Sequence, residues 1–371
     1  MKKYILIISL FLLLFSFSCK ADNADYSQQY EALNLEEIKN SLDSETQNLF
    51  EKMGIDPSDE KWVDKISGEG VIEHIKNFLS DGLKRPLKSG CAILAVIIIT
   101  AAITSFGNTD AANQTAIFAA TAACGAIVAT NVFSTVSASA NSMKSICIFM
   151  LAFIPIFAGL VSLSGNAVTS VSMSTLLLTA TESVSMISSF FIMPFMGGYL
   201  SISLCSGISP LIARSSAAEL IKKISLWTFS LFSTIFVGIL GIQTAVNSAA
   251  DTVAAKTAKF IIGTSVPITG TALAEAAATV SASMGLLKSS IGIYGVVAII
   301  FILLPTVAEL ILWRIIICLC SALSDSFSLS KIGDLLRAVD SMLSILLGLL
   351  LLVAGLFIIS LSVIISTGRA L

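Results

Sequence analysis

The 371-residue chain holds a single histidine, His74, and only 12% of its residues are charged. With no second histidine, His-based metal sites and Ser-His or Cys-His catalysis are excluded within this chain. No His-Glu-x-x-His, Gly-x-Gly-Asp or Gly-x-Ser-Gly pattern occurs, so metalloprotease, aspartyl and rhomboid-like intramembrane chemistries lack their groups. A Walker A loop is missing too, which leaves nucleotide hydrolysis to a partner. The net charge is −2 and the soluble part is acidic, a poor platform for phosphate, so nucleic acid is disfavoured as a partner. The expectation is a non-enzymatic protein with no catalytic, metal or cofactor site.

What the chain has instead is apolar length. The hydrophobic fraction is 55% and mean hydropathy is +0.91, outside the range of soluble domains. Residues 91–106 (CAILAVIIITAAITSF) open a series of apolar runs that closes with residues 343–365 (LSILLGLLLLVAGLFIISLSVII). Lipid offers no hydrogen-bond partners, so a chain crossing it satisfies its backbone as a helix or a closed barrel. These runs are too long for barrel strands and lack period-2 alternation. The fold class is all-α: a polytopic helical membrane protein.

Three segments are expected. Residues 1–21 read as a signal peptide, with Met1-Lys2-Lys3 basic and residues 4–17 apolar. Cleavage fits after Ser18 or after Ala21. Cys19 admits lipidation, against which Ser16 stands where an aliphatic residue belongs. Residues 22–88 form an acidic helical ectodomain, because residues 22–90 carry 15 of the 24 acids but 8 of the 22 bases. Leu33, Leu35, Ile38, Leu42, Leu49, Phe50 and Met53 recur at helical spacing before a turn at Asp56-Pro57. A second amphipathic stretch, residues 71–83, carries His74 as a surface residue. So small and polar a segment must dock on a partner or on the membrane.

Residues 89–371 form the helical transmembrane domain, with eight candidate spans at 91–106, 115–133, 145–163, 171–189, 191–209, 226–246, 292–321 and 341–365. Residues 173–208 also read as one helix bent around Pro194, Gly197 and Gly198. Eight spans with the ectodomain outside place Arg214-Lys222-Lys223 and Lys331-Arg337 in the cytoplasm, as the positive-inside rule asks. Fusing the fourth and fifth spans alone moves both clusters outside. Lys84-Arg85-Lys88 lies on the unfavoured side. Six of the seven cysteines fall in or beside spans, where Cys behaves as a small hydrophobe.

Residues 247–290 are too polar for an ordinary span and too rich in Ala, Ser and Thr for an ordinary loop. They read as a broken small-residue hairpin with its break between Gly263 and Gly270, around Pro267. Pro removes a donor and disfavours a helical residue before it. A re-entrant hairpin and one lying at the outer membrane surface both fit. In either, Asp251, Gly263, Pro267, Gly270 and Glu275 are the candidate pore or partner contacts, packed against residues 226–246 or 292–321.

Intramembrane charges are the other candidates. Glu182 lies in LLLTATESVSMISS, and Glu309 and Arg314 lie in LLPTVAELILWRIII. A charge at the bilayer centre costs at least about 2.5 kcal/mol and needs a partner, a proton or water. Glu309 and Arg314 are about 140° apart around a helix and face apart. One of them is expected to pair across helices, with Glu182–Arg314 the candidate pair. The alternative is a neutral Glu309 and an Arg314 that snorkels to the cytoplasmic side.

Residues 238–295 (GILGIQTAVNSAADTVAAKTAKFIIGTSVPITGTALAEAAATVSASMGLLKSSIGIYG) resemble the stage III sporulation protein AE family. The match rests on Gly241-Ile242-Gln243, Asp251, Val266-Pro267, Gly270 and Leu287-Lys288 to Gly292. The ectodomain turn at Gly68-Glu69-Gly70 and the multispan body follow the family's order. The resemblance implies an export-apparatus or permease-like subunit of a secretion-like channel complex in the mother-cell membrane around the forespore. It implies partners as well: ring-forming subunits, a separate ATPase and forespore membrane proteins. The competing expectation from the residues is an independent secondary transporter, suggested by the breaks at Pro194 and Pro267. No internal repeat supports it.

Overall fold

The computed structural model describes residues 35–59, 62, 84–107, 109–208, 216–265 and 270–366. The signal segment, the stretch at 71–83 with His74, and Pro267 lie outside them. The described residues are helical, without strands.

Two short helices come first, α1 (Leu35–Asn40) and α2 (Ser44–Met53). Asp43 caps α2 by accepting from the Thr46 N–H, and Gly54, at φ 66°, closes it in the left-handed conformation that glycine adopts without strain. Burial raises the Asp56 carboxyl, but hydrogen bonds from Lys39 and Ser58 and the Lys39 charge outweigh it and hold the group below its usual range.

The body follows: α3 (Lys84–Phe106), α4 (Asp110–Leu163), α5 (Ala167–Met186), a π-helical segment (Ile187–Met196), α6 (Gly197–Ile208), α7 (Ser216–Ser265), α8 (Gly270–Ser326) and α9 (Ser330–Ser366). Among the described residues six helical rods are long and apolar enough to cross a membrane, counting the continuous residues 167–203 as one.

Six is fewer than the eight spans expected, and the difference is physical. The runs 115–133 and 145–163 lie on one unbroken helix, α4, whose 54 residues extend about 81 Å at 1.5 Å each. The joint between them, STVSASANSMK, holds no Gly or Pro to end a helix. The chain turns instead at Ser164–Asn166, where Gly165 takes φ 88° and Asn166 N–H bonds to Val161 O. The runs 171–189 and 191–209 are fused through the π segment. Its wider turn accommodates Pro194, which cannot donate. Each fusion reverses the sidedness of everything after it, and together they cancel. With the ectodomain outside, Lys222-Lys223 and Lys331-Arg337 remain on the cytoplasmic side, and Arg214 lies outside the described residues.

The helices form one bundle. α4 and α8 run antiparallel in a register marked by Gly295 against Phe153 and Gly292 against Phe157 and Ile365. A Cβ on Gly295 would stand 2.6 Å from the Phe153 ring, so only glycine permits this approach. α9 runs back along α8 after a turn at Phe327–Leu329. In lipid an apolar side chain gains nothing by leaving its solvent, so this close packing holds the bundle through dispersion.

Candidate functional site

Three polar joints lie inside the bundle. The first ties α8 to α9: Arg314 Nε donates to Asp340 Oδ1 at 2.9 Å and Nη2 reaches Oδ2 at 3.4 Å. This is a fork on a carboxylate, the geometry that suits guanidinium best. The partner of Arg314 is therefore Asp340, not Glu182, which is exposed on α5. The reason is register. The turn at Phe327–Leu329 folds α9 onto α8, so residues at similar distances from it meet.

The second joint is a hydroxyl layer between α4 and α8. Thr135 Oγ1 donates to Glu309 Oε1 at 2.8 Å, and the hydroxyls of Ser142 and Thr306 lie 2.6 Å apart. Ser188 of the π segment adds a bond to Ala140 O at 3.0 Å. Hydroxyls supply hydrogen bonds here without a net charge, and an accepting Glu309 oxygen is served whether or not the group is protonated.

The third joint is Asp251. It is 4% exposed and accepts from the Val168 N–H (2.8 Å), the Thr169 N–H (3.1 Å) and the Thr169 hydroxyl (2.5 Å). Those donors are the free N–H groups at the start of α5. A carboxylate there satisfies them and meets the positive end of the helix dipole. The joint thus caps one helix from another. Below it on the same side of α7, the buried Asn247 Nδ2 and Gln243 Oε1 have no partner among the described residues.

The two small-residue arms expected of the hairpin are the end of α7 and the start of α8, each continuous with an apolar helix. Gly263 lies within the last turns of α7 and Gly270 begins α8, while residues 266–269 with Pro267 lie outside the described residues. Glu275 lies on α8.

Sequence reading therefore picks out Asp251, Glu309 and Arg314 but misses Thr169, Thr135 and Asp340. Asp340 was findable, as the acid standing opposite Arg314 across the α8–α9 turn. Thr135 and Thr169 were not, since threonines recur throughout the spans. Among the described residues no three His, Cys, Asp or Glu side chains group as metal ligands would.

The family model of stage III sporulation protein AE matches residues 60–368, nearly the whole helical body. The chain belongs to that family. It is also similar to the stage III sporulation protein AE of Bacillus subtilis (strain 168), with 26% identity over 244 residues. That alignment covers 66% of this chain and 61% of the relative, so the chain spans less than two thirds of the relative's length. No solved structure matches it. Family and helices together make this a multi-pass membrane protein of a sporulation family.

Proposed function

We propose that the chain is a non-enzymatic integral membrane subunit of a secretion-like channel complex between mother cell and forespore, with an export-apparatus or permease-like role in late forespore development. The observation that carries this reading is the family match across residues 60–368. The polar groups support it: Arg314–Asp340 and Asp251 fasten helices to one another, as a scaffold requires. Ring-forming subunits, a separate ATPase and forespore membrane proteins are the proposed partners, in the mother-cell membrane around the forespore.

The test is a sporulating strain lacking the chain, read by a late forespore reporter and by co-purification of a tagged copy with its partners. Loss of the reporter and recovery of partners support the proposal. Normal reporter activity refutes it.

The π segment with Pro194 favours a second reading, an independent secondary transporter, because irregular helices recur at transport sites. Protein reconstituted alone into vesicles separates the two. Solute uptake without partners would decide for the transporter.

A further inference from the structure

The helices α1 and α2 lie against apolar stretches of the bundle. Phe50 of α2 meets the rings of Tyr294 and Phe301 edge-on, with centroids 5.4 and 5.6 Å away. Trp62 packs on Tyr294 at 5.8 Å, and its Nε1–H donates to Ser290 Oγ at 3.2 Å. Phe50 and Trp62 are each 1% exposed, so this is a buried seat. Tyr294 and Phe301 belong to the apolar part of α8. Tyr294 lies level with Phe153 and Phe157 of α4 and with the end of α9, as the contacts at Gly292 and Gly295 show, and Phe301 stands about 10 Å further along α8, level with Phe149.

The helix α7 passes the same depth on another face. Asp251 is fixed to Val168 and Thr169, and Ser170 Oγ bonds Ala158 O, which sets residue 251 near residue 158 of α4. Ile242, about 13 Å further down α7, is then level with the Phe149–Phe157 stack. Ile242 is 69% exposed, and Ile239 and Val246 are exposed beside it. That face suits hydrocarbon. The outer faces of α1 and α2 do not: Glu36, Glu37, Glu45, Glu51 and Lys52 are all exposed. Each charge placed in hydrocarbon costs at least about 2.5 kcal/mol. Neither face can have the other's surroundings.

We infer that the face carrying α1 and α2 borders water at bilayer depth, as the wall of an aqueous chamber, while α7 faces lipid at the same level. The use of that chamber as a conduit rests on the channel reading above; the wetting itself does not.

The test uses the full chain in membranes prepared from sporulating cells, so that the reagent reaches both faces, with its native cysteines replaced and either Glu51→Cys or Ile242→Cys added. Both positions are exposed, and accumulation of each variant is checked by immunoblot. A charged, impermeant thiol reagent is expected to label Glu51→Cys at least about tenfold faster than Ile242→Cys. A bimane at position 242 is expected to be quenched by brominated lipid in reconstituted membranes. Labelling at both positions puts the whole layer outside the bilayer and overturns the inference. Labelling at neither, or an unquenched bimane, overturns it as well. If the labelling split and the quenching appear in a protein whose loss leaves the forespore reporter intact, the channel reading fails and the wetted face stands.

Discussion

The helices α9 and α7 are both apolar and both long, yet 67% of the most apolar window of α9 is buried and only 17% of that of α7. α9 packs bulky Leu, Ile and Phe against its neighbours on nearly every side, down to Leu336, Leu350 and Phe357 at 0% exposure. α7 turns Phe229, Phe236 and Leu240 inward and leaves Gly238, Gly241 and a row of aliphatics outside. Hydropathy alone therefore marks a helix as belonging to the membrane but not its place in the bundle. Side-chain volume around the helix decides that, since bulk on all sides demands neighbours and small residues with open space above them leave a face to lipid or to another protein.

Breaking the α8–α9 core should have the largest effect. Arg314→Leu leaves Asp340 without its fork and is expected to cost about 3 kcal/mol, read as a fall in thermal stability of detergent-solubilised protein. Joint replacement with Asp340→Leu is expected to restore much of it. An unrescued double variant would mean that the pair does more than join the helices.

Gly295→Leu and Gly238→Leu sharpen the contrast directly. The first drives a side chain into Phe153, held between Phe149 and Phe157, and should cost about 1–3 kcal/mol. The second meets open space and should leave stability unchanged. Equal losses would erase the distinction between core and peripheral glycines.

Asp251→Ala removes the acceptor for three donors at the start of α5, with an expected loss of about 1–3 kcal/mol. Asp251→Asn should lose less, because an amide oxygen still accepts. Faster exchange of the Val168 and Thr169 amides would report the loosened joint.

The smallest effect lies in the ectodomain. Lys39 and Asp56 are each partly exposed, so Lys39→Ala should cost under about 1 kcal/mol. Because the Asp56 carboxyl is held low, the pairing contributes fully at neutral pH and is lost only as pH falls below about 4. Thermal unfolding of wild type and Lys39→Ala should differ at pH 7, and the difference should shrink progressively as pH is lowered below about 4.

Much of this arrangement is legible from composition. The apolar runs announce a helical membrane protein, Asp56-Pro57 marks the turn that follows α2, and the resemblance read from residues 238–295 agrees with the family match over residues 60–368. The polar stretches between runs read as turns, whereas α4 continues through residues 134–144 as helix. Residues 134–144 are Ser- and Ala-rich, and a helix tolerates them when neighbouring helices offer partners such as Thr306 and Glu309. Asp251 and Arg314 were visible as isolated charges. Their partners depended on how α7 meets α5 and how α9 folds onto α8, and no local pattern encodes those registers.

The continuity of α4 is the point on which the account turns, and one cysteine tests it. With eight spans and the ectodomain outside, Ser164 falls in the cytoplasm; with a single crossing by α4, it lies outside at the Ser164–Asn166 turn. In a cysteine-free background, Ser164→Cys is expected to react with an impermeant thiol reagent applied outside, as Ser44→Cys does, while Ser328→Cys stays protected. Protection of Ser164→Cys beside a labelled Ser44→Cys would contradict the six-rod bundle and restore a return loop within residues 134–144.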